Sequence, residues 1–419
     1  MKSEAIDMLG AARPLPAPLA GSELCLAPLR ILLVSETYPP KINGVAMTTE
    51  RMVQGLRARG HWVGVVRPRQ QQDRDEASTW TLPGLPIPNY PGLRLGFPAR
   101  WRLGRLMQRL RPDLVHVVTE GPLGWAAVSA ARAQKLPLTS GYHTHFAQYS
   151  RHYGVGWLTP WVNAWLDTLH RRCQATLVPT QELAATLSAR GIPGVRAVGR
   201  GVDTLLFRAT QRSASLRAAW GLADGGLACL YVGRLAPEKN LEVVERAFAA
   251  IAARDRNARM VWVGDGPALP RLRAAHPDHI FAGARTGEDL AAHYASSDLF
   301  LFASLSETWG NVLTEALACG QAVLAYRRAA AEILIREREN GVTVDPDDEG
   351  AFIAAALELA GDAALRRRLG AEASHSMQEQ GWEKIVLKFE AVLREAVAVG
   401  RNLPAPRISF LRRLIQVFL

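Results

Sequence analysis

The sequence lacks any run of about 20 apolar residues, the length that carries a helix across a bilayer. The charge-free window His152 to Leu166 is broken by Gly154, Pro160 and Asn163 and stops short of that length, so no transmembrane helix is expected. Cysteine is scarce as well. Cys25, Cys173, Cys229 and Cys319 are scattered, with neither metal-ligand spacing nor dense pairing, which argues against a disulfide-stapled scaffold and leaves ordinary packed or surface thiols. A secretory leader is missing too: the first 29 residues are rich in Ala, Pro and Leu, but Glu4, Asp7 and Glu23 interrupt them and no apolar core follows Lys2. Residues 1–29 therefore read as a disordered extension of a cytoplasmic protein. No Gly-x-Gly-x-x-Gly turn follows the first apolar strand, and no acid stands near the end of the next, which sets a dehydrogenase aside.

What is present is ordinary globular material in a long chain. Hydrophobic residues make up 48% and charged residues 21% of 419, a length that favours two cores over one. The formal charge of +11 calls for an anionic partner without choosing among phosphates, nucleic acid and lipid head groups.

Short apolar runs alternate with helical spacing. Ile31 to Ser35, Trp62 to Val66, Leu114 to Val118 and Thr176 to Val178 form one strand series, with a Pro-rich loop around Pro83 to Pro91. Leu227 to Val232, Arg259 to Val263, His279 to Phe281, Leu299 to Phe302 and Ala322 to Ala325 form a second. The series meet near Arg200-Gly201-Val202-Asp203, where a Gly marks a hinge. This predicts two α/β domains, 30–203 and 204–385, followed by a helix and a basic amphipathic tail over 386–419.

Open α/β sheets bind ligands at the carboxyl ends of their strands, and the distinctive motifs fall in those loops. Tyr38-Pro39-Pro40-Lys41-Ile42-Asn43-Gly44 joins a strand to a helix, and Gly44 lets backbone approach an anion there. Val232-Gly233-Arg234-Leu235-Ala236-Pro237-Glu238-Lys239-Asn240 sets two cations, Arg234 and Lys239, after the strand that opens the second domain; Arg can clamp phosphate oxygens in pairs and Lys adds a compact charge. Glu307-Thr308-Trp309-Gly310-Asn311-Val312-Leu313-Thr314-Glu315 places Glu307 before a helix and Glu315 in its body, with the amides of Asn311 and Val312 at the helix start.

These loops, with Val263-Gly264-Asp265-Gly266-Pro267, resemble in order and spacing the family-four retaining glycosyltransferases, from about Arg30 to about Trp382. The resemblance implies the GT-B fold, two Rossmann-like domains facing across a cleft. It also implies that Arg234 and Lys239 hold a nucleotide diphosphate, Glu315 bonds the ribose and Glu307 meets the donor sugar. Gly264, Gly266, Asn311 and Val312 would line the donor site, Gly44 would close over the phosphates, and His143 would sit beside the reacting sugar. It leans towards GDP-mannose, with a UDP-sugar or a nucleotide-sugar epimerase as the alternatives. No metal or other cofactor is expected, since cations and helix amides neutralise the leaving diphosphate. A nucleic-acid binder would leave the paired glutamates unexplained.

The acceptor is less legible. Arg100, Arg102, Arg105, Arg109 and Arg111 share a segment with Leu103, Leu106, Met107 and Leu110 at helical spacing, which suits either a helix with a solvated basic face or one that touches anionic lipid. Trp157, Trp161 and Trp165 recur every four residues; core packing is the expected reason, and such rings also suit a lipid interface or sugar stacking. The tail Arg407 to Leu419 is again cationic and amphipathic. Together these favour a lipid or glycan acceptor, with a peripheral seat on the inner face of the plasma membrane.

Overall fold

The computed structural model describes residues 27–40, 44–70, 73, 77–87, 90–142, 159–222 and 225–400. The chain divides into two compact units, one of residues 1–143, 164–198 and 386–419 and the other of 144–163 and 199–385.

The first unit holds strands β1 (Arg30–Val34), β2 (Trp62–Pro68), β3 (Thr79–Leu82), β6 (Leu114–Val117), β7 (Leu138–Gly141), β8 (Ala175–Val178) and β9 (Val195–Ala197) in the order β3-β2-β1-β6-β7-β8-β9. Every pair is parallel. The central strands β1, β2 and β6 are rich in Ile, Leu and Val because a parallel sheet is covered on both faces. The Pro-rich stretch forms a separate antiparallel ribbon, β4 (Gly84–Ile87) with β5 (Tyr90–Gly96). Prolines are tolerated there because each strand has an unpaired edge.

Helices α1 (Gly44–Ala58), α2 (Arg100–Leu110), α3 (Pro122–Ala133) and α4 (Thr159–His170) belong to the first strand series. In α2, Leu103, Met107 and Leu110 are buried while Arg100, Arg102, Arg105 and Arg109 are exposed. The expected core stripe fails in α4: Trp161 is 75% and Trp165 51% exposed, and Trp165 meets Trp125 of α3 only edge-on, at 5.5 Å between ring centroids. Trp157 lies outside the described residues, as do the tail and Cys25. Cys173, Cys229 and Cys319 are buried thiols.

The second unit has β10 (Ala228–Val232), β11 (Arg259–Val263), β12 (Ile280–Gly283), β13 (Leu299–Phe302), β14 (Ala322–Tyr326) and β15 (Val342–Val344), all parallel, ordered β12-β11-β10-β13-β14-β15. Its helices include α5 (Leu241–Arg254) and α6 (Asn311–Ala318). In each sheet the opening strand has neighbours added on both sides, β2 and β6 around β1, β11 and β13 around β10. That reversal of strand order leaves a crevice at the carboxyl ends, where α/β folds bind ligands.

The last described helix, α7 (Trp382–Gly400), returns the chain to the first unit. Val386, Phe389, Leu393 and Ala396 are buried, and Phe389 meets His116 of β6 edge-on at 5.2 Å. Glu390 binds Arg59, His61 and Arg394. Burial would raise its carboxyl, but those partners hold it down at about 2. The outgoing and returning chain run side by side within the second unit: the Val202 amide donates to the Gln380 carbonyl at 3.0 Å, and Val202 pairs with Gly381.

Candidate active site

The loops after β10 and β11 are built against each other. The amides of Gly233 and Leu235 donate to the carbonyls of Val263 and Asp265 at 3.0 and 2.9 Å, and the Ala268 amide donates to the Leu235 carbonyl at 2.9 Å. Only glycine allows this approach: a Cβ on Gly264 would lie 1.9 Å from the Gly233 oxygen, and one on Gly266 2.3 Å from the Leu235 oxygen. The two glycines thus fix the backbone that carries Arg234.

Arg234 Nη1 contacts Glu238 Oε1 at 3.2 Å, and the Glu238 side chain is buried. The next residue, Lys239, pairs its Nζ with Glu307 Oε1 at 2.5 Å, joining the loop after β10 to the loop after β13. Ser304 Oγ donates to the same Glu307 oxygen at 3.0 Å. Burial alone would raise the Glu307 carboxyl; Lys239, the Ser304 hydroxyl and Arg200 hold it below its ordinary range. Gly310, at φ +92, opens α6 with no side-chain cap, so the helix start presents backbone amides and partial positive charge. Asn311 and Val312 are its first residues.

Glu315 sits a turn into α6. Tyr294 donates its hydroxyl to Glu315 Oε2 at 2.9 Å, yet burial pushes the carboxyl up to about 7. The resemblance assigns the ribose hydroxyls to Glu315; on that assignment the ionised carboxyl, with both oxygens able to accept, binds better than the neutral one, and binding should draw its proton off. Nucleotide affinity is therefore expected to rise by up to about tenfold per unit from pH 5 to 7 and to level off above 8. Calorimetric titrations across that range check this; a slope unchanged in Glu315→Gln removes the carboxyl from nucleotide binding.

The second unit thus gathers Arg234, Lys239, Gly264, Gly266, Glu307, Asn311, Val312 and Glu315 around the ends of β10, β11 and β13. Gly44 opens α1 in the first unit, and His143 lies outside the described residues. Sequence reasoning missed three side chains. Tyr294 was one apolar-looking position in a helix. Trp309, inside the carboxylate motif, is 4% exposed. Arg200, expected only as part of a hinge, is buried and its Nη1 donates to Asn311 Oδ1 at 3.3 Å. An arginine between two glycines was the signal available for it.

Two parallel sheets in one chain, the second with paired cations and carboxylates in the loops after its strands, have the make-up of the GT-B fold. Solved structures share the fold: sucrose-phosphate synthase from Thermosynechococcus elongatus has a TM-score of 0.72 at 19% identity, covering 88% of this chain and 100% of that one. Anabaena HepE in complex with UDP-glucose gives 0.67 at 18%, covering 87% and 99%. The family model Glycosyltransferase Family 4 matches residues 42–205, and Glycosyl transferases group 1 matches 226–362. The chain is similar to a GDP-mannose-dependent alpha-mannosyltransferase of Mycolicibacterium smegmatis, 33% identical over 87% of this chain and 98% of the relative. One of Corynebacterium glutamicum is 30% identical over 90% and 92%, and the sulfoquinovosyl transferase of Arabidopsis thaliana 28% over 89% and 75%. The chain belongs to glycosyltransferase family 4.

Proposed function

We propose that this enzyme moves mannose from GDP-mannose, with retention of configuration, to a lipid or glycan acceptor. The observation that carries the reading is the junction of Lys239 and Glu307 at the second sheet's crevice, which puts a cation and a carboxylate side by side where a sugar diphosphate would be cleaved. The names of the mannosyltransferase relatives support the donor. In this reading the bond from the sugar's anomeric carbon to the diphosphate breaks and the negative charge it leaves is met by Arg234, Lys239 and the α6 amides. The acceptor hydroxyl attacks the same face and gives its proton to a leaving phosphate oxygen, so no protein nucleophile and no divalent metal is required.

The donor is tested by thermal shift with GDP, UDP and ADP, because a ligand of the native state raises its apparent stability, followed by nucleotide release from GDP-mannose in EDTA. Stabilisation by UDP alone replaces mannose with a UDP-sugar; activity lost in EDTA and restored by magnesium or manganese ends the metal-free mechanism. An epimerised sugar nucleotide in place of a transferred one returns the epimerase alternative.

The acceptor side is read as an anionic membrane surface on the cytoplasmic side. Support comes from α2, whose exposed arginines stand beside Trp101, 84% exposed. Basic side chains near an anionic surface contribute about 1 kcal/mol each, and indole suits the interface. Sedimentation with phosphatidylglycerol vesicles should exceed that with phosphatidylcholine, and Arg102→Gln with Arg105→Gln should weaken it about tenfold or more. Equal binding to both vesicles overturns the membrane assignment.

A further inference from the structure

Arg200 is an expensive residue to bury. It is 6% exposed, and desolvation pulls its guanidinium down to about 10 even with Glu307 opposing the shift. Its Nη1 is held by Asn311 Oδ1, but its Nη2 is buried with no hydrogen-bond partner. A buried, charged donor left unmade costs more than a neutral one. An unsatisfied buried group calls for an explanation, and a second stands close by, on the tryptophan packed against the residue before Arg200. Trp309 packs its ring on Gly199, where a Cβ would stand 3.0 Å from it, and its indole Nε1 is likewise buried without a partner.

The backbone on both sides of Arg200 is pinned. Gly199 lies under Trp309, and a Cβ on Gly201 would be 2.8 Å from the Trp382 Cα. The guanidinium is therefore presented at the start of α6 by a fixed segment rather than swung in from a loose loop. What completes Nη2 must accept hydrogen bonds and carry negative charge. Glu307 cannot be the whole answer, because its Oε1 already receives Lys239 and Ser304.

We infer that Arg200 is a third cation of the donor site, with Nη1 anchored on Asn311 and Nη2 donating to a non-bridging oxygen of the phosphate that bears the sugar. This rests on the glycosyltransferase reading above. The sugar-bearing phosphate is chosen because the carboxylate beside Arg200 is Glu307, the one assigned to the sugar. Arg200 then shares with Lys239 the charge that grows on the leaving group, and its place on the connection between the domains makes that segment part of the active site.

The test compares GDP with GMP, and UDP with UMP, by calorimetry on the wild-type chain, Arg200→Gln and Arg200→Lys, with melting temperatures alongside. Arg200→Gln should weaken the diphosphate by about 10- to 100-fold, the usual loss for a charge-assisted hydrogen bond, and leave the monophosphate unchanged. Arg200→Lys, which keeps a charge but not the fork and serves if the glutamine variant does not fold, should fall in between for the diphosphate alone. Equal weakening of both nucleotides, with a lowered melting temperature, makes Arg200 a structural clamp and overturns the inference. So does an unchanged diphosphate, or a loss seen only with the intact sugar nucleotide. Wild-type protein that binds neither diphosphate and releases no nucleotide from sugar nucleotides overturns the glycosyltransferase reading itself, and Arg200's role with it.

Discussion

Lys239→Ala should lower turnover by about a hundredfold to a thousandfold, the range for removing one preorganised contact to developing charge, with a much smaller change in donor dissociation constant. The structure makes this the cleaner of the two cation deletions. Without Lys239, Glu307 keeps the Ser304 hydroxyl and the nearby Arg200, so the carboxylate is not orphaned. Arg234→Ala instead strips the contact from the buried Glu238 side chain, and a lone buried carboxylate destabilises the fold. Its kinetic effect must be read beside its melting curve. Arg234→Lys should rescue in part, since a point charge cannot reproduce a planar clamp. Near-native turnover in a folded Lys239→Ala protein would make the loop a solvated surface.

Gly264→Ala should cost about 2–3 kcal/mol or more, as overpacking against unyielding backbone does, and abolish donor binding in what remains folded. Its Cβ would stand 1.9 Å from the Gly233 carbonyl oxygen. The only relief is to part the loops after β10 and β11, which carries Arg234 away. Gly287→Ala is the control. Gly287 has φ +58 with nothing within 4 Å of a built Cβ, so it should lose only the roughly 1 kcal/mol of a left-handed residue. Gly264 itself stands at φ +142, so its excess loss over Gly287 in urea unfolding combines backbone strain with the loop contact; equal losses would mean that the contact contributes nothing.

The strands read best from sequence were those with apolar cores: β1, β2, β6, β8, and β10 to β14 all fall within two or three residues of their expected places. β7 was missed because its buried side chains are hydroxyls. Thr139 Oγ1 meets His116 Nδ1 at 2.8 Å, and Ser140 Oγ meets His170 Nδ1 at 2.9 Å and Thr176 Oγ1 at 3.0 Å. These groups satisfy one another across neighbouring elements, which leaves no hydrophobic signal. β15 has only three residues. The loops that carry the candidate cations and carboxylates could be placed from sequence because they follow strong apolar strands. Tyr294 and Arg200 were not, since each joins the site through a contact 21 and 111 residues away in the chain, a pairing that no local pattern encodes.

The return of α7 sets a schedule for synthesis. The first unit leaves off at Val198 and resumes only at Val386, so its sheet emerges from the ribosome without α7, the helix whose Val386, Phe389 and Leu393 are buried in the finished unit. At about 5–20 residues per second, that gap lasts on the order of 10–40 s. Throughout it the first unit must wait with an uncovered apolar face while the second unit, continuous from 199 to 385 for its entire sheet, can finish. The domain begun first is the one completed last.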